Sequence, residues 1–194
     1  TYSVTLAQQV DGVVTQLAGP ETFQVVDLGG GTLPIDDPAE ALAFQRQAAE
    51  LQRAVLGAVE VTGELKGRIK HLRLAIPDTP EADPAQLAEL AAIESELNDL
   101  LVVLRGDRSK ARRNEPVDPS LVGRINRVVE GQLGTTQPPT NTSRAGYEWA
   151  SEAFAQTLED LRAVDARLGA LEDALESAGA PWTPGRFPEW PRGN

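Results

Sequence analysis

The chain has 194 residues, enough for one ordinary domain or two small ones with a core. Lys and Arg number 18 against 29 Asp and Glu, a formal net charge of −11, and an acidic surface repels phosphate backbones, which argues against nucleic acid as a partner. Cys is absent and His71 is the single histidine, so disulfides, thiolate nucleophiles, Cys-ligated metals and multi-His metal sites are excluded. Met is also absent. No signal peptide or membrane-spanning run stands within these residues, and a chain that opens on Thr1 is expected to be a piece of a longer precursor.

Residues 1–36 read as β. Tyr2, Val4 and Leu6 alternate with Ser3 and Thr5, a period of two. Asp11-Gly12 lies between Val10 and Val13, and Asp-Gly is a two-residue hairpin turn because both positions accept positive φ. The return strand is expected over residues 13–17. Ala18-Gly19-Pro20 is expected to break it, with Phe23, Val25 and Val26 resuming a strand. Gly29-Gly30-Gly31 follows as a flexible joint. It lacks the spacing of a phosphate-binding loop, and no helix begins directly after it.

Residues 37–179 read as helix with breaks. Asp37-Pro38 supplies an N-cap followed by Pro at the first helical position. Phe44, Ala48, Leu51, Val55, Ala58, Thr62, Leu65, Ile69, Leu72 and Ile76 then step by four and three, a seam of period 3.5 that stops at Pro77. Asp83-Pro84 starts a second helix with the seam Leu90, Ile93, Leu97, Leu100 and Leu104, ending at Gly106. Asp118-Pro119 starts a third, shorter helix carrying Leu121, Val122, Ile125, Val128, Val129 and Leu133. After Pro138-Pro139 a last helix begins around residues 141–143 and runs along Tyr147, Ala150, Phe154, Thr157, Leu161, Val164, Leu168, Leu171 and Leu175 to Gly179. The first and last helices are each about 50–60 Å long at 1.5 Å per residue, and the two inner ones reach that length only when added together. The expected fold is therefore mainly α: a long up-down-up bundle of three columns, the middle one broken, with a small N-terminal antiparallel β segment. A four-column bundle with uneven lengths is the alternative.

Residues 180–194 form an extended Pro- and Trp-rich tail. Pro181, Pro184, Pro188 and Pro191 exclude helix and central strand. Trp182, Phe187 and Trp190 need a partner surface, either the chain's own bundle or another molecule.

Several of these stretches resemble a known family. Tyr2 to Leu6 followed by Asp11-Gly12 looks like the last strands of a β-sandwich. Leu33-Pro34-Ile35-Asp36, Ala43-Phe44-Gln45-Arg46-Gln47 and Glu50-Leu51-Gln52-Arg53-Ala54-Val55 are similar to a stretch of large secreted bacterial proteins. Those proteins carry sortilin-like, Asp-box β-propellers and are often labelled glycosyl hydrolases. Arg124-Ile125-Asn126-Arg127, Pro139-Thr140 and the last leucine-rich helix look like the end of their C-terminal helical region. The resemblance implies an extracellular, secreted setting and a chain that follows a propeller. No Asp-box repeat stands in this sequence, so no catalytic residue is carried over.

The residues themselves point away from catalysis. The acidic pairs Glu94/Glu96 and Glu159/Asp160 read as solvated helix faces, since a glycosidase pair needs a cleft about 5–10 Å across. His71, beside Ile69 and Leu72, reads as a boundary residue rather than a base or ligand. No cofactor, metal or calcium loop is indicated. Arg105, Arg108, Lys110, Arg112 and Arg113 crowd the connection between the second and third helices, either as a solvated loop or as a contact for an acidic face of another copy or an anionic polymer. Arg105-Gly106-Asp107 spells an integrin tripeptide and is read as coincidence. Asn141-Thr142-Ser143 is a glycosylation sequon whose position favours helix capping.

Two or three strands do not make a stable sandwich, so Tyr2, Val4 and Leu6 are expected to meet partner strands or the bundle. The sequence therefore predicts a non-catalytic extracellular structural module that self-associates through unpaired strands and bundle faces. Its partner is itself, as a homo-oligomer or polymer, with a filament or tube as the open-ended product. The alternative is a C-terminal accessory domain that docks on the propeller of its own precursor or binds a protein partner. Nucleic acid and membrane are not expected partners.

Overall fold

A computed structural model describes residues 1–26, 37–188 and 190. The chain divides into two compact units, Thr1–Ile35 and Asp36–Asn194. The expected Gly29-Gly30-Gly31 joint lies outside the described residues.

The first unit is a single antiparallel hairpin of β1, Tyr2–Val10, and β2, Val13–Phe23. Asp11 and Gly12 have φ of 51° and 81°, the doubly left-handed turn whose twist matches paired strands. Val10 faces Val13 at the turn and Tyr2 faces Phe23 at the open end, where the two rings stack at 5.7 Å. The expected break at Ala18-Gly19-Pro20 does not occur, and β2 runs through it. The ladder absorbs the extra residues as two register shifts between Val4 and Ala7. Gly19 makes this possible: its φ is +87°, and a Cβ there would stand 2.6 Å from the Val4 carbonyl oxygen. Val25 and Val26 do not resume a strand. Tyr2 is already paired with Phe23, so β1 has no backbone left to offer them.

The second unit is helical, with α1 Pro38–Ala75, α2 Ala85–Arg105, α3 Arg108–Arg112, α4 Leu121–Gln132 and α5 Asn141–Ser177. Asp37 caps α1, its carboxylate accepting from the amides of Ala39 and Glu40 at 2.9 and 3.1 Å. Three starts differ from the sequence reading. Ser120, not Asp118, caps α4 by accepting from Gly123 N at 3.1 Å. Thr140, not the Asn141 triplet, caps α5 by accepting from Ser143 N at 3.1 Å, which leaves Asn141 as the first helical residue. The connection after Gly106 holds the extra turn α3, because the Asp107 carboxylate caps the amides of Ser109 and Lys110 at 2.8 and 3.0 Å.

The columns follow from lengths and contacts. At 1.5 Å per residue, α1 and α5 are each about 56 Å long, while α2 and α4 together give about 50 Å. Both α2 and α4 pack on α1 and on α5, and α1 packs on α5. Gln45 donates to the Gln132 and Thr135 carbonyls at 2.9 and 3.1 Å, and Gln52 donates to Asn126 at 2.9 Å. The end of α4 therefore lies beside the start of α1, and the middle column runs against it. Glu40 pairs with Arg144, Phe44 meets Tyr147 edge-on at 5.7 Å, and Arg68 holds Asp165 and Glu172 at 2.5 and 2.7 Å. These contacts fix α1 and α5 as parallel. The bundle is thus three columns, up-down-up, with the middle one broken.

The seams form the core. Val55, Leu72, Ile93, Leu97, Leu104, Leu121, Ile125, Val164 and Leu168 are fully buried. Leu51 is only partly covered, and Leu133, expected on the third helix's apolar face, is exposed just beyond the last turn of α4. Buried apolar area stabilises at about 25 cal/mol per Å2, and the period-3.5 positions collect nearly all of it.

Candidate functional site: the break in the middle column

Where α2 ends and α4 has not begun, the bundle lacks one helix over a short height. A groove of about 450 Å3 occupies that level. Val102 and Val103 of α2, Val117 and Pro119 of the connection, and Arg124 and Trp149 line it, together with Asp107, Lys110 and Asp118. Val102, Val103 and Trp149 are each more than two-fifths exposed, a concentration of large apolar side chains off the seam. The Arg124 guanidinium lies over the Trp149 ring, 4.1 Å from its centroid, a cation–π contact that holds both side chains in place. Arg124 Nε is buried and has no hydrogen-bond acceptor among the described residues. A second groove of about 530 Å3 runs on between α4 and α5, sharing Val117, Pro119 and Arg124 with the first. The close approach of these helices rests on Gly146, where a Cβ would meet Val128 at 3.1 Å.

The electrostatics are local and positive. Residues 105–127 carry seven Lys and Arg against three Asp and Glu, in a chain of net charge −11. Arg113 is paired with Glu115, Nε to Oε1 at 2.6 Å, and this partner raises its guanidinium further above its ordinary range. Hydrogen bonds from the amides of Lys110 and Ser109, with the nearby charges of Lys110 and Arg113, hold the Asp107 carboxyl below the usual carboxylate range. Arg105, Arg108, Lys110 and Arg112 make no ion pair among the described residues. The Asp of the Arg105-Gly106-Asp107 triplet is thus committed to capping α3.

The sequence-predicted residues fall in three places. Of the basic cluster, Lys110 lines the groove, and Arg105, Arg108, Arg112 and Arg113 lie on α3 and its flanks outside the lining. Tyr2, Val4 and Leu6 belong to the hairpin unit. Trp182, Phe187 and Trp190 follow α5, beyond its end opposite Trp149. There the tail is tied down by Arg186 rather than by its aromatics. Arg186 is paired with Asp173 at 2.6 Å and with Glu176, Thr183 is buried, and Trp182 donates to the Arg186 carbonyl at 2.7 Å. Phe187 and Trp190 are 93% and 86% exposed. Local packing therefore accounts for the first half of the tail and leaves its last two rings uncovered.

Arg124 and Trp149, the centre of the groove, were not singled out as site residues by sequence reasoning. The available signal was Trp149 standing between the seam positions Tyr147 and Ala150, where an indole has no core to enter. The carboxylates Glu94 and Glu96 are not merely solvated. Glu94 pairs with Arg73, and Glu96 with Arg167 at 2.5 Å, because α2 is wedged between two columns carrying those cations. His71 is exposed on α1. The groove offers aliphatic and indole surface with charges of both signs, Arg124 and Lys110 beside Asp107 and Asp118. No family model, curated protein or solved structure matches the chain.

Proposed function

We propose that this chain is a non-catalytic structural module that assembles with copies of itself, starting from the free edge of β1. The observation that carries the reading is the hairpin's exposure. All nine residues of β1 and all eleven of β2 are exposed, and a two-stranded ribbon is marginally stable by itself. Its two edges differ. β2 contains Pro20, Glu21 and both register shifts, devices that blunt an edge. β1 reads Tyr-Ser-Val-Thr-Leu-Ala-Gln-Gln-Val, with neither charge nor proline. An unguarded edge of that kind recruits another strand through main-chain hydrogen bonds. Antiparallel pairing of β1 with β1 of a second copy is isologous and gives a four-stranded sheet, which closes as a dimer. The secreted setting implied by the family resemblance belongs to the same proposal.

The test is light scattering or sedimentation of the intact chain over a wide concentration range. The expected result is a concentration-dependent dimer or larger species. Val4→Lys with Leu6→Lys, which places charge on the edge strand, should weaken it at least tenfold, since opposed like charges oppose strand pairing. A wild-type chain that stays monomeric up to about 1 mM, a ~4 kcal/mol association limit, would overturn the reading.

A further inference from the structure

The β1 pairing just proposed closes on itself, yet the bundle carries a second, unlike pair of uncovered surfaces: the groove at Arg124 and Trp149, and the rings of Phe187 and Trp190. We propose that the aromatic tail of one copy docks in the middle-column groove of another.

Chemistry matches the two. The groove is apolar at Val102, Val103 and Pro119 and aromatic at Trp149, and its charged lining is mixed, Arg124 and Lys110 against Asp107 and Asp118. In sequence the tail reads Phe187-Pro188-Glu189-Trp190, two rings flanking a proline and a carboxylate. Proline-rich extended segments dock in aromatic-lined grooves because little conformational entropy is lost on binding. The rings cover the valines and the indole, and the carboxylate pairs with Lys110, a groove-lining cation that makes no ion pair among the described residues.

Geometry makes the contact intermolecular. Arg186 is held at Asp173 and Glu176 of α5. Trp149 lies 24 residues before Asp173 on the same helix, about 36 Å away along the axis. From Arg186 to Trp190 the backbone spans at most about 14 Å. Phe187 and Trp190 therefore do not reach their own groove while the Arg186 anchor holds, and a second copy must supply it. Groove and tail are different surfaces, so the contact is heterologous, and a heterologous contact that fails to close propagates. Combined with a closed β1 dimer, it extends dimers into a polymer. This extension rests on the self-association reading above, whereas the groove–tail contact is measurable without it.

The experiment titrates a fluorescent peptide of residues 181–194 onto the full chain carrying Phe187→Ala and Trp190→Ala, whose grooves are unoccupied by tails. Saturable binding is expected. Trp149→Ala should weaken it about tenfold or more, and Val103→Lys, an independent block at an exposed position, should do the same with helical content unchanged. Val4→Lys/Leu6→Lys should leave peptide binding untouched. A full chain with a mutated groove, mixed with a chain with a mutated tail, should give a one-to-one complex through this contact. Peptide binding insensitive to both groove substitutions, or no saturation by about 1 mM, overturns the inference. So does a groove that takes a heparin fragment and excludes the peptide. If the wild-type chain is monomeric while the peptide binds in a Trp149-dependent way, the groove assignment stands and the β1-edge reading falls.

Discussion

The hairpin and the bundle use apolar residues equally freely and bury them very differently. Tyr2, Val4, Leu6, Val10 and Val13 are all exposed. Val55, Leu72, Leu97, Leu104 and Leu168 are fully buried. The difference is the number of layers each unit has of its own. Three helical columns turn their seams toward one axis and supply each other's cover. A two-stranded ribbon has backbone partners along one edge of each strand and no second layer, so its pattern is satisfied only by something added. Apolar periodicity in a sequence specifies a face, and whether the face is a core or a contact depends on what else the chain supplies.

The sharpest way to break this comparison is a cavity in the bundle. Leu97→Ala, at a fully buried seam position, should cost about 2–5 kcal/mol in chemical denaturation. If the hairpin's own signals disappear at the same denaturant concentration, the two are not separate cooperative units. Next in size is Arg68→Met. Arg68 bridges Asp165 and Glu172 between α1 and α5, and its partner Glu172 is buried. The hydrogen bond to Glu172, with that to Asp165 and the charges of both carboxylates, holds the guanidinium well above its ordinary range, against the desolvation that lowers it. Stranding Glu172 should cost about 2–4 kcal/mol, less than for a fully buried pair because Arg68 is partly solvated. Gly19→Ala probes the other side of the comparison. It places a Cβ against the Val4 carbonyl at a positive φ, and should cost the hairpin about 1–3 kcal/mol, read as loss of the Tyr2–Phe23 ring contact by NMR with the bundle transition unchanged. The smallest effect concerns Asp107. Its carboxyl is held below the ordinary range in the folded chain, so its contribution is present above the unfolded-state pKa and lost as pH falls through the folded value. Amide shifts of Ser109 and Lys110 should report α3 fraying in that acid window, while the bundle core stays unmoved.

Much of this was legible in the residues. The 3.5-residue seam from Phe44 to Ile76 placed the end of α1 within a residue, and Asp37-Pro38 named its start. The summed lengths of the inner helices led to the broken column. Caps were less legible where two candidates stood together. Pro119 pointed to Asp118, but Ser120 is the residue with extended backbone one step before the helix. Gly19-Pro20 read as a break because propensity registers the conformation of each residue and not the bulge that accommodates it. The groove was the least visible. Arg124 and Trp149 lie 25 residues apart on different helices, and only packing shows that a missing stretch of middle column leaves them side by side.

The pairing of α1 with α5 has a kinetic consequence. Arg68 to Asp165 and Glu172, and Arg144 to Glu40, join residues 97 to 104 positions apart, whereas α1 and α2 meet across a short connection. Closing the longer loop carries the greater entropic cost, so the α1–α2 hairpin is expected to form early and α5 to dock late. Arg68→Met should then speed unfolding far more than it slows folding, which stopped-flow chevrons would read. Trp149 arrives with α5, so the groove exists only once the last column is seated. A chain still folding would present no receptor for another copy's tail, and polymer growth would be confined to finished subunits.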